Sequence, residues 1–134
     1  MKKEEFNKMS TIVLDVMEKK ARELNIEGVA VVCNLEDGKG NDWQTALRVV
    51  DKIRTEVQPD QSGYNFIGVV YAKVAEMMDT KQNSGSKTRP ILVGELGYKG
   101  GEIRKDGEGY VVTAFSGGPS AKDLLVSQAG QNSL

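Results

Sequence analysis

Ser116-Gly117-Gly118-Pro119 is the run of this 134-residue chain whose residue types can do chemistry. Tyr110 to Phe115, just before it, are β-branched, aromatic or small and suit a buried strand. Pro119 and Ser120 suit the first turn of a helix, where a missing or free N–H is the rule. Paired glycines allow positive φ or a close approach of backbone to a neighbour. The uncapped amides of a helix start would make this corner a candidate anion site. Ser120 and Asp123 also stand at capping-box spacing. A serine at a strand-to-helix turn is the geometry of a nucleophile elbow. Ala114, however, occupies the place of that motif's first glycine, and the chain has no histidine to take the proton. The hydrolytic alternative is a dyad of Ser116 with Lys73 or Lys122, because a desolvated lysine can act as a base. The plainer reading is that the glycines only turn the chain.

Composition narrows the chemistry further. Without histidine, Ser-His-Asp and Cys-His catalysis within one chain is excluded. The single cysteine, Cys33, permits no internal disulfide, and with histidine absent no zinc site is expected. Cys33 lies in an apolar run and reads as a buried small hydrophobe. The net charge of −1 gives no basic field, so neither nucleic acid nor a membrane surface is an expected partner. No apolar run is long enough to span a bilayer. Met1 to Glu5 turns acidic at once, which points to a cytoplasmic protein. Gly85-Ser86-Lys87-Thr88 fails as a phosphate loop, because Ser86 intervenes and Thr80 stands where the earlier glycine should be. Gly107-x-Gly109 fails as a dinucleotide fingerprint, because Val112 follows and the segment precedes a strand.

The elements that must position the corner follow from periodicity. Phe6, Met9, Val13, Met17 and Leu24 predict a helix over Lys3 to Asn25. Val29 to Cys33 reads as a buried strand, Asp37-Gly38 and Gly40 as a turn, and Trp43 to Val50 as a second strand. Trp43 is expected to be partly in the core, with an interface role as the alternative, because exposed aromatics favour contacts. Tyr64, Ile67, Tyr71, Val74 and Met78 predict a second helix over Tyr64 to Asp79. Phe66, Val69 and Val70 fall on another of its faces, so either an oligomer or a deep position within one domain is implied. Thr80 to Thr88 reads as a mobile polar loop in which Gly85 tolerates change. Ile91 to Val93 is expected to be a third strand. Gly100 to Lys105 and Glu108 to Phe115 follow as a hairpin turned at Asp106-Gly107, and Gly130 ends the last helix. The order α-β-β-α-β-β-β-α predicts a single α+β domain over residues 1–134 with a mainly antiparallel sheet.

The spacing of Gly100, Gly101, Ile103, Gly107, Glu108, Ser116, Gly117, Gly118 and Asp123 resembles the GlcG/HbpS-like, or haem-degrading (DUF336), family. Upstream, Val31-Val32-Cys33-Asn34 with Gly38 resembles that family's first strand and turn. Ala72, Lys73 and Ala75 resemble its lysine-alanine helix. Glu102 and Asn34 depart from the family's usual proline and aspartate. The resemblance implies a profilin-like layer of five strands with helices on both faces. It also implies haem-related binding or breakdown in some members. The chain is thus expected to be an oligomeric small-molecule-binding accessory protein, with an even number of subunits and a ligand at Lys73, Ser116, Gly117, Gly118 and Asp123. An enzyme of haem breakdown, or a hydrolase using Ser116, is the alternative. Any haem would have to use Tyr64, Tyr71, Tyr98, Tyr110 or one of the five methionines, or sit by apolar contact. Weak binding between subunits, near the second helix and the Ser116 turn, is the expectation.

Overall fold

A computed structural model describes residues 1–36, 42–60 and 62–134. The expected turn at Asp37-Gly38 and Gly40 lies outside them. The elements are α1 (Lys3–Glu23), β1 (Gly28–Leu35), β2 (Trp43–Val50), α2 (Phe66–Thr80), β3 (Gly101–Asp106), β4 (Gly109–Ser116) and α3 (Ser120–Asn132). Among the described residues the four strands form one antiparallel sheet in the order β2-β1-β4-β3. β1 is buried along its whole length, because helices cover both faces of the sheet.

Strand alternation sorts the core. Ala30, Val32, Val111 and Phe115 face α1 and α3, where they meet Val13, Leu14, Met17 and Val126. Val29, Val31, Cys33, Val112 and Ala114 face α2 and meet Phe66, Val70, Val74 and Met77. Fully burying Phe115 alone contributes roughly 1.5–3 kcal/mol. The single thiol is inert here: burial pushes Cys33 up to about 12, partly opposed by its hydrogen bond to Thr45.

Among the described residues the expected five strands are four. Ile91 to Val93 is irregular, and its side chains are exposed. Pro90 has no N–H to donate, and Gly94 and Gly97 both take positive φ. The Leu92 N–H donates to Glu95 Oε1 at 2.8 Å instead of to a neighbouring strand. Arg89 then clamps Glu95 at 2.8 Å and Asp79 at 2.7 Å, so the segment's polar groups are paired locally.

The loop after α2 also differs from expectation. Ser84 is buried and its Oγ accepts from Gly101 N at 2.9 Å, while Gly85 N donates to Glu76 Oε2 at 2.7 Å. Gly85 has φ +75°, and a Cβ there would lie 2.9 Å from Lys99 N, so it is not a tolerant loop position. Trp43 is not in the core either. It is 45% exposed, on the face of edge strand β2 that α2 leaves uncovered.

Candidate functional site

The corner is assembled from three directions. α2 starts cleanly because Asn65 caps it, its side chain accepting from Ile67 N at 3.0 Å and Gly68 N at 3.2 Å. Two turns on, the register of α2 carries Lys73 under the end of β4. Ahead of α2, Thr55 is tied to Tyr64 by the Tyr64 N–H donating to Thr55 Oγ1 at 2.8 Å. From the other side of the sheet, α3 docks mainly through polar groups. Ser127 Oγ donates to Gly100 O at 2.6 Å, Thr113 Oγ1 to Ser127 O at 2.8 Å, and Gln131 Nε2 to Val111 O at 2.8 Å.

Between these elements lies a buried ion pair. Lys73 Nζ donates to Phe115 O at 2.6 Å and to Asp123 Oδ2 at 3.2 Å, and both residues are only 3% exposed. Asp123 Oδ1 accepts from Gly118 N at 2.9 Å. Asp123 therefore does not close a capping box with Ser120. Pro119 is the N-cap of α3, and no side chain caps its first amides. The carboxylate is drawn instead to the buried ammonium, the stronger partner in a dry site. Gly100 completes the arrangement: with φ +124°, it lies where a Cβ would sit 2.6 Å from Lys73 Nζ and 2.9 Å from Asp123 Cβ.

Ser116 shares the alternation of Val112 and Ala114 and so turns to the α2 face. It is 1% exposed, and its Oγ has no hydrogen-bond partner among the described residues. Ser116 and Lys73 are thus not joined as a dyad. Lys122 is directed elsewhere, its Nζ donating to Leu24 O at 3.2 Å. The structure brings Lys73, Ser116, Gly117, Gly118 and Asp123 together on one cavity of about 330 Å³. Thr55, Tyr64, Phe66, Val69 and Tyr98 are also in its wall, with Pro119 and Ser120 at the start of α3. Thr55 carries no chemical signal of its own in the sequence. Phe66 and Val69 are legible there only as a second apolar face of α2.

Burial sets the charge states. It pushes Asp123 up to about 6, opposed by the Lys73 charge and the Gly118 amide, and it pushes Lys73 down, opposed by Asp123. Between its ordinary value of 3.8 and about 6, Asp123 keeps in the folded state a proton that the unfolded chain has released. Its stabilising contribution is therefore complete below that window and is lost as the pH rises through about 6. Lys73, pushed down by burial, acts in the opposite sense: its contribution grows as the pH rises toward its ordinary value. Relative to Asp123→Asn, whose amide does not titrate, the wild-type Tm is expected to fall as the pH is raised from ~4 to ~7. A difference between the two proteins that stays flat across this range would refute the buried-acid assignment.

Sheet, buried pair and cavity define a small α+β protein with a ligand-sized pocket at a strand-to-helix corner. No family model matches the sequence. No curated protein matches it either. Solved structures share the fold, among them the following three. The PduOC:heme complex is 16% identical with a TM-score of 0.59, over 92% of this chain and 90% of its own. The Klebsiella pneumoniae protein ORFY, of the DUF336 family, is 22% identical with a TM-score of 0.58, over 92% and 85%. HbpS is 17% identical with a TM-score of 0.56, over 95% and 87%. The fold is thus that of the GlcG/HbpS-like (DUF336) proteins. No helix is long and apolar enough to cross a membrane among the described residues.

Proposed function

We propose that residues 1–134 form a single GlcG/HbpS-like domain acting as a small-molecule-binding accessory protein, assembled as a homo-oligomer with an even number of subunits. The observation that carries the binding reading is the cavity at the β4–α3 corner. It has a ligand-sized volume of about 330 Å³, aromatic walls and a few convergent polar groups. Assembly is supported by apolar surface on edge strand β2, where Trp43, Leu47 and Val49 are exposed beside Tyr71 and Met78 of α2. Closed, symmetric assemblies are the common way to cover such a surface.

Haem is the ligand of one protein of this fold, PduOC. The cavity here does not fit it as a buried prosthetic group. About 330 Å³ is at the small end of ligand sites, and no histidine, cysteine or methionine lines the wall. Haem contact is confined to the open mouth, beside Tyr64 and Tyr98, and is weak. Native mass spectrometry with and without equimolar haem tests both parts. The expected result is an even multiple of the 14.6 kDa chain with only fractional haem occupancy. A single 14.6 kDa species at low micromolar concentration would sink the assembly. Full stoichiometric haem loading would sink the weak-binding assignment.

A further inference from the structure

The polar groups around the cavity are unevenly matched, and the imbalance points to the chemistry of the ligand. A lysine ammonium has three hydrogens to donate. Phe115 O and Asp123 Oδ2 take two from Lys73. Ser116 Oγ, buried at the cavity wall, has no partner among the described residues. α3 is 13 residues long and enters the cavity at Pro119 and Ser120 with no side-chain cap. The amides of its first turn have no helical carbonyl to pair with. Among the described residues Asp123 is the one carboxylate at the cavity, and both of its oxygens already accept, one from Gly118 N and one from Lys73. The ammonium and the first-turn amides can only donate, while the hydroxyls of Ser116, Thr55 and Ser120 can donate or accept, so a bound molecule that brings acceptors fits the set best. Around them, Tyr64, Phe66, Val69 and Tyr98 offer flat or apolar surface, which suits a planar body.

We propose that the β4–α3 corner binds the carboxylate of a small organic acid with a planar, apolar body, using Ser116 Oγ, Lys73 Nζ and the first-turn amides of α3 as donors. This rests on the cavity being the ligand site, and it adds the chemical class. The anion sits at the start of α3 beside the buried ammonium, whose charge Asp123 shares, so the hydrogen bonds from Ser116 and the first-turn amides carry the contact. The apolar body displaces water from the aromatic wall.

Benzoate and its neutral isostere benzamide serve as probes, followed by titration with amide chemical shifts. Benzoate is expected to shift the amides of Gly118 to Lys122 and to bind at least tenfold more tightly than benzamide. Ser116→Ala removes only an oxygen that has no protein partner, so its Tm is expected to stay at the wild-type value. Its affinity for benzoate is expected to fall about tenfold, the worth of one charge-assisted hydrogen bond. Equal binding of benzamide and benzoate at these amides would overturn the acid class while leaving the cavity as the ligand site. Benzoate affinity unchanged in Ser116→Ala would remove the serine from the donor set and overturn the proposal. Failure of both probes to shift these amides would overturn the proposal and the choice of cavity together.

Discussion

Replacing Lys73 by Met is expected to cost about 3–5 kcal/mol, because it strands the Asp123 carboxylate in a dry site. For a chain of this size that is a fall in Tm on the order of 10–20 °C. Met has nearly the length of the lysine stem, so the loss reports charge more than volume. Asp123 would keep its bond from Gly118 N but lose the ammonium at 3.2 Å, and Phe115 O would lose its donor at 2.6 Å. The double variant Lys73→Met/Asp123→Asn is expected to recover most of the loss, since a neutral amide still accepts from Gly118 and carries no buried charge. Thermal melts of the two variants decide the matter. A single variant as stable as wild type would mean that the pair contributes nothing, and a double variant no better than the single would mean that the cost is one of packing.

The second large effect is expected at Gly117. Its φ is +141°, and a Cβ there would sit 2.0 Å from Glu27 O and 2.7 Å from Gly28 Cα. Both neighbours are backbone, held by the pairing of β1 with the end of β4, so neither can swing aside. Gly117→Ala must therefore push the strands apart, at a cost of roughly 3 kcal/mol or more, in the upper tail of single substitutions. Gly107 is the control. Its φ is +61° in the β3–β4 hairpin, with nothing within 4 Å of a built Cβ. Gly107→Ala should then carry only the conformational penalty, roughly 1–2 kcal/mol. Urea midpoints at equal m-value separate the two terms. Equal losses would mean that the close approach between the β1 start and the β4 end costs nothing.

The elements with strong periodicity are legible in the residues themselves. α1, β1, β2 and the β3–β4 hairpin fall within a few residues of their expected places. α1, β1 and β4 bury a stripe or run of side chains, β2 alternates half-buried with exposed positions, and the Asp106-Gly107 turn sets the hairpin. The glycine corner is legible for the same local reason: strand formers, two glycines and a proline leave few other conformations. The motif resemblance also places Lys73 and Asp123 among the candidates, without showing that they touch. Expectation and structure part where distant groups satisfy the local chain. Ile91 to Val93 has strand-forming residues, yet Glu95 and Arg89 take its polar partners. The Ser84-Gly85 turn has the composition of a free loop, but Glu76 and Gly101 anchor it. α3 runs past Gly130 to Asn132, since that glycine serves a close crossing, with a built Cβ only 2.8 Å from Met17 Cγ. The composition of a segment determines what its backbone prefers. Which carboxylate meets which lysine, 50 residues apart, is decided by the packing of α2 and α3 on opposite faces of one sheet.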